Sequence, residues 1–290
     1  MNGKSIMLVG LPDSGKSNYL GRLWGALQQG DGPVVASSVP GEIGYVENVY
    51  GHLLKGQFAA RTEPGDTSYN KEFAVKVTIK GEVETSITEI LVPDVHGELW
   101  QSAVRNYELP TEWMARLKES SSAILFLRVN SELNCSPLDW VSTRALLRIA
   151  PNTTTDEREE LPTQVALVEL LRLLEYGLKV EEPDKRRKVA LVITAWDALH
   201  SETSKLGPLN FIKKEYPLLY GKLMNDLNLE VRLYGVSIVG GDLEVDAEFK
   251  NNFLENDIDE AGYVVFDDTN GKTKKAHLTQ PIAWLIGGDE

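Results

Sequence analysis

Short apolar blocks, punctuated by glycine, proline and charged residues, run the length of this chain. The first, SIMLVG (5–10), is a strand-length run, and beyond the loop that follows it Leu20, Leu23, Trp24 and Leu27 recur at the spacing of one helical face. FAVKVTI (73–79) alternates, with Phe73, Val75, Val77 and Ile79 on one side; after Gly81, SITEILV (86–92) predicts the second arm of a hairpin. AILFLRV (123–129) and VALVITA (189–195) are continuously apolar, as strands are when both sheet faces are covered. PTQVALVELLRLLEYG (162–177) carries Leu and Val on one helical stripe, and VRLYGVSIV (231–239) predicts a further strand. The closing LTQPIAWLI predicts a helix with Pro281 in its first turn and Leu278, Ile282 and Leu285 packed together. Strands alternating with helices predict an α/β fold on a mainly parallel sheet, with one antiparallel hairpin strand.

Other stretches are less patterned. Residues 30–68 are rich in Gly, Pro and Ser and read as a long mobile connection, with a faint helical pattern around Val46–Leu54. Residues 131–160 look irregular, EEPDKRRK (181–188) breaks the preceding helix, and a helix of uncertain limits follows Asp197. An Asn/Asp-rich segment then leads to a short hairpin around GYVVFDDTNGKTKK. No internal repeat is evident.

Composition narrows the function classes. The 290 residues, 42% of them apolar, suffice for one large or two small domains with a full core. Thirty Lys and Arg against 43 Asp and Glu give a formal charge of −13, which argues against nonspecific attraction to nucleic acid or an anionic membrane. The single cysteine, Cys135, forms no internal disulfide, and His52, His200 and His277 lack metal-ligand spacing, so thiol and zinc chemistry find no support. No apolar run approaches membrane-spanning length and SIMLVG lacks the flanks of a signal peptide, so a cytoplasmic setting is expected.

The chemistry begins in the first loop. Gly10-Leu11-Pro12-Asp13-Ser14-Gly15-Lys16-Ser17 satisfies G-x-x-x-x-G-K-[ST] between a predicted strand and a predicted helix, and Asp13, Ser14 and the following Asn18 join the glycines, Lys16 and Ser17 as nucleotide-binding candidates. Glycines there let backbone N–H groups turn inward around phosphate oxygens, Lys16 reaches the β- and γ-phosphates, Ser17 offers a hydroxyl to Mg²⁺, and the helix dipole favours the anion. The hairpin's second strand ends in Asp94-Val95-His96-Gly97, a D-x-x-G arrangement in which Asp94 holds Mg²⁺ through water and the Gly97 N–H faces a γ-phosphate. VALVITAWDAL ends its strand on Thr194-Ala195-Trp196-Asp197, which resembles the [NT]-K-x-D motif of guanine-nucleotide proteins. There the carboxylate accepts from guanine N1 and N2, a donor pair that adenine lacks. Ala195 departs from the motif's lysine, and Asp197 has the alternative role of capping the next helix. Ser237, at the end of LYGVSIVGG, resembles the short loop whose backbone meets the guanine carbonyl.

Taken in order, Gly10–Ser17, Asp94–Gly97, Thr194–Asp197 and Ser237 resemble a Ras-like P-loop GTPase of the translation-factor-related (TRAFAC) class. Within that class, DVHGE and the closing PIAWLI helix are similar to bacterial double-GTPase domains associated with conflict or defence systems. The resemblance implies a P-loop NTPase three-layer sandwich and a single GTPase-like domain over residues 1–290, with additions at about 131–160 and 240–275 as places for partner contacts. It implies guanine-nucleotide and Mg²⁺ binding, with Ser17, Asp94 and a switch threonine on the metal. Of Thr62 and Thr67, Thr62 is favoured. Glu98 occupies the position of the water-orienting glutamine, His96 is an alternative in the same loop, and Glu98 has a competing role as a helix cap. Arg61 is either an internal arginine finger or a solvated surface residue.

Three functions follow. The leading one is a slowly hydrolysing GTP switch with a protein effector or regulator; the others are a P-loop ATPase or kinase, and a nonhydrolysing nucleotide-binding interaction module.

Overall fold

A computed structural model of the protein describes residues 3–38, 43–59, 72–80, 88–93, 97–137, 161–180, 185–225, 228–258, 261–268, 271 and 273–287. In chain order the elements are β1 (Gly3–Gly10), α1 (Lys16–Gln29), β2 (Val34–Ala36), α2 (Gly44–Leu54), β3 (Glu72–Ile79), β4 (Thr88–Pro93), α3 (Gly97–Asn106), α4 (Thr111–Glu119) and β5 (Ser122–Arg128). They continue with α5 (Thr163–Gly177), β6 (Arg187–Thr194), a 3₁₀ turn (Trp196–Ala198), α6 (Ser201–Ser204), α7 (Gly207–Glu215), α8 (Pro217–Met224), β7 (Leu229–Ser237), α9 (Ala247–Glu255), β8 (Tyr263–Asp267), β9 (Thr273–Ala276) and α10 (Gln280–Ile286).

The described strands form one sheet in the order β2-β3-β4-β1-β5-β6-β7-β8-β9. Its centre, β4-β1-β5-β6-β7, is parallel. Both edges are antiparallel: β2 and β3 beside β4, β8 and β9 beyond β7. The antiparallel share thus exceeds the one antiparallel hairpin strand expected in the sheet: β2 is a strand the sequence pattern does not predict, and the short hairpin around residues 262–275 joins the same sheet as β8 and β9.

Period-two alternation explains the layers. Ile6, Leu8, Ile124, Phe126, Ala190 and Val192 face the side covered by α1 and α10, while Met7, Val9, Leu125, Leu127, Leu191 and Ile193 face the side covered by α3, α4, α5 and α7. Strands buried on both faces read as continuous apolar runs for that reason. Burying a side chain such as Leu or Ile contributes about 1.5–3 kcal/mol.

Helix ends follow local chemistry. Gly15 and Gly30 bracket α1 in the left-handed conformation, at φ 87 and 79°. The C-terminal carbonyls of α10 accept from Lys4 Nζ (Ile286 O, 2.7 Å) and Lys188 Nζ (Trp284 O, 2.9 Å), cations at the negative end of the helix. At the start of α7, Asp267 accepts from the Leu209 N–H at 3.1 Å and from the Thr273 hydroxyl at 2.8 Å, fastening the β8–β9 hairpin to that helix.

The connection at 30–68 holds more order than its composition suggests, since it contains β2 and α2. The reason lies in α1. A Cβ at Gly21 would meet Val49 Cγ1, and one at Gly25 would run into the ring of Tyr50. These two glycines let α2 seat directly on α1. Among the described residues, no helix is long and apolar enough to cross a membrane.

Candidate functional site

The C-terminal edge of the parallel strands is where an α/β sheet binds ligands, because loops diverge there and helix N-termini point inward. In this protein the β1–α1 loop occupies that edge. Gly10 has no room for a side chain: a Cβ would stand 2.7 Å from Ser14 Oγ and 3.0 Å from Phe126 Cβ. Asp13 and Gly15 take positive φ, 59 and 87°, which closes the loop and turns its backbone inward. Lys16, buried, donates to Gly10 O (2.8 Å), Leu11 O (3.0 Å) and Ser14 Oγ (3.1 Å), so its ammonium group spans the loop it serves.

Neighbouring elements brace the loop. The Thr194 hydroxyl, at the end of β6, donates to Ser14 O at 2.9 Å, and a Cβ at Gly15 would lie 2.9 Å from that same Oγ1. Gly97, first residue of α3, sits so close that a Cβ would collide with the Pro12 backbone, 2.6 Å from its Cα. Trp100 Nε1 donates to Leu8 O at 3.1 Å and anchors α3 to β1. Asp13 is held by two partners: Arg128 Nη1 reaches Oδ1 at 2.6 Å, and the Ser131 hydroxyl reaches Oδ2 at 2.6 Å.

These elements enclose a cavity of about 460 Å³, within the range of small-molecule sites. Its wall includes Asp13, Ser14, Gly15, Lys16, Ser17 and Asn18 from the loop and α1, Gly97 and Glu98 from α3, and Thr194, Ala195 and Asp197 after β6. One cavity therefore gathers residues from three of the four motifs. Ala195 has φ 55°, and the ring of Trp196 sinks away from the cavity against Gly235 and Phe211, leaving Asp197 on the wall. Burial raises the pKa of the nearby Tyr263 phenol, and the negative charge of Asp197 adds to the rise.

Ser237 is fully buried, and its hydroxyl accepts from the Gly240 N–H at 2.8 Å. It shapes a turn from which Ile238, Val239, Gly241 and Glu244 line the cavity. Arg22, buried on α1, donates to the carbonyls of Ile238 (3.2 Å), Ile258 (2.8 Å) and Ala261 (3.0 Å), tying this turn to the helix that follows the phosphate loop.

Arg61, Thr62, Thr67, Asp94 and His96 lie outside the described residues. Glu98 stands in the first turn of α3 and on the cavity wall, a position compatible with both roles considered for it. Sequence reasoning missed Arg128, Phe58 and Ala59, which also line the cavity. Arg128 carried a readable signal as the charged residue at the C-terminal end of an apolar strand. Phe58 and Ala59 carried none; Asn18 fixes them, its Oδ1 accepting from the Ala59 N–H at 2.9 Å.

The double-GTPase 1 family model matches residues 7–285. The chain belongs to that family. In this double-GTPase chain the cavity lies where the phosphate loop stands. No curated protein matches it. Similar solved structures include Roco2 RocCORdC of Methanosarcina barkeri bound to GDP, 12% identical with a TM-score of 0.34, over 90% of this chain and 52% of that one. The bacterial selenocysteine-specific elongation factor EF-Sec is 14% identical with a TM-score of 0.35, over 88% of this chain and 29% of that one. The SRb-GTP/SRX complex of the signal recognition particle receptor from Chaetomium thermophilum is 13% identical with a TM-score of 0.41, over 87% and 98%. The double-GTPase chain thus spans about half the length of the Roco chain, at 52%.

Proposed function

We propose that this chain binds GTP and GDP with Mg²⁺, hydrolyses GTP slowly, and acts as a switch for a protein partner. The observation that carries this reading is the single cavity whose wall joins Lys16 and Ser17 to Gly97, Glu98 and Asp197. In it the loop N–H groups and Lys16 would bind the β- and γ-phosphates, Asp197 would accept from guanine N1 and N2, and the turn shaped by Ser237 would offer backbone to the guanine carbonyl. Phe58, Ile238 and Val239 supply apolar wall for a base.

The oxygen donors of Ser17, Thr62 and Asp94 suit a hard cation, and the Ser17 side of the cavity supports that fit. Ser17, with Thr62 and Asp94, would hold Mg²⁺, which when bound would offset the negative charge of the phosphates. Glu98 would orient the attacking water, and Arg61 would meet charge developing on the γ-phosphoryl group. Residues 131–160 and 240–275 are our candidates for partner contact, in a cytoplasmic conflict or defence system.

Fluorescent GDP titrated into nucleotide-stripped protein in Mg²⁺ buffer, with ADP, ATP, GDP and GTP as competitors, tests the reading. Displacement by guanine nucleotides alone, lost in Asp197→Ala, is expected; displacement by ATP at equal strength would install an ATPase or kinase in its place. Single-turnover GTP hydrolysis above the Lys16→Ala background is expected as well, and its absence would leave a binding module.

A further inference from the structure

A carboxylate inside a phosphate-binding loop is electrostatically unfavourable, because it sits among donors that must receive a polyanion. Asp13 is such a residue, in a left-handed conformation that Asp tolerates better than most side chains, and it lines the cavity. The structure gives both of its oxygens a partner on the same neighbouring segment, Arg128 at 2.6 Å and Ser131 at 2.6 Å. That segment is itself fixed, since the Asn134 side chain donates to Arg128 O at 2.9 Å.

Arg128 has a second relation to the site. In the parallel pairing of β5 with β6 it stands opposite Thr194, the residue that braces the phosphate loop. One residue beyond Thr194, where a cation is absent because the position is Ala195, the cavity wall carries Arg128 instead. Its side chain is 41% exposed and, among the described residues, Asp13 is the one acid it pairs with. The guanidinium therefore compensates the loop's carboxylate from the adjacent strand while lining the cavity.

We propose that Arg128 is a positioning residue for polyphosphate binding, which acts through Asp13 by neutralising it and fixing the loop, and which supplies from β5 the cation that Ala195 does not. The inference rests on the reading of this cavity as the nucleotide site. Removing the guanidinium would expose a negative charge beside the phosphates, and the penalty would be larger for a triphosphate than for a diphosphate. Screening by salt would shrink the difference.

The test is equilibrium titration of the full-length protein, stripped of nucleotide, with GDP and a nonhydrolysable GTP analogue at low and high salt. Arg128→Met is expected to weaken the analogue about tenfold or more and GDP less, the scale of a charge-assisted hydrogen bond. High salt is expected to narrow that gap, and adding Asp13→Asn to Arg128→Met is expected to recover most of the loss. A purely structural role for Arg128 would not yield that recovery. No loss in Arg128→Met, or a loss that Asp13→Asn leaves in place, overturns the inference. Should Arg128→Met not fold, Arg128→Gln, which retains a hydrogen-bond donor and removes the charge, carries the same comparison with Asp13→Asn. If the unaltered protein prefers adenine nucleotides, the guanine reading fails alone, and the Arg128 series is run with ADP and an ATP analogue. Tight guanine binding with a flat Arg128 series overturns only the inference.

Discussion

Thr194 shows how much one hydroxyl carries at this site. It sits on the last residue of β6, is buried, and donates a hydrogen bond to a carbonyl of the phosphate loop. Thr194→Val keeps the shape and leaves Ser14 O without that donor, so nucleotide affinity should fall about tenfold, for a lost bond of about 1–2 kcal/mol; calorimetric titration with GDP measures it. Gly97 carries a steric demand instead. Gly97→Ala drives a methyl group into the Pro12 backbone, and either the loop or α3 must shift. The expected result is a loss of about 1–3 kcal/mol in unfolding stability and weaker GTP than GDP binding, read by denaturant melts and competition titration. The glycine was visible in D-x-x-G, but its contact with Pro12 was not, because the two residues are 85 positions apart in sequence.

At the scale of elements, α2 illustrates tertiary override of a faint local signal. Its own pattern is short and interrupted, and isolated helices of that length are marginal in water. Gly21 and Gly25 create the seat that makes it a helix here, and Tyr50 and Phe58 then join a small cluster with Leu53, Val239 and Phe253 beside the cavity. Gly25→Val should collide with the Tyr50 ring, lower the thermal midpoint, and weaken nucleotide binding through the displaced Phe58–Ala59 stretch. Unchanged affinity alongside a lowered midpoint would show that α2 serves stability alone. The phosphate loop, β5, α5, β6 and the hairpin of β3 and β4 were legible because each obeys its own periodicity. The helices between Asp197 and β7 were not, since α6, α7 and α8 are short and take their limits from contacts such as Asp267 with the Leu209 N–H.

Across the whole molecule, pH acts on the seam between α1 and the closing segment. Burial lowers the pKa of His277, and the positive charges of Arg22 and Lys80 lower it further against the opposing pull of Asp31. The neutral ring accepts from the Thr279 N–H at 3.3 Å, and a Cβ at Gly32 would collide with it. A folded-state pKa below the ordinary value means the unfolded chain binds the extra proton more readily. Stability is therefore fully present above pH of about 6.5 and is lost as pH falls through the folded value. Melting curves of His277→Asn should show a shallower decline over that acidic window than the unaltered protein.

The sequence by itself determined the order of the central strands and of the helices α1, α5 and α10, the phosphate loop, and the residue types at each motif, because period-two and helical patterns and glycine-bounded turns are local properties. Tertiary structure alone decided which motifs share a wall, that Arg128 rather than a residue beside Asp197 brings a cation to the loop, and that Arg22 binds the turn after β7. Those relations arise when parallel strands distant in sequence align their C-terminal ends, and sequence spacing holds no record of that alignment.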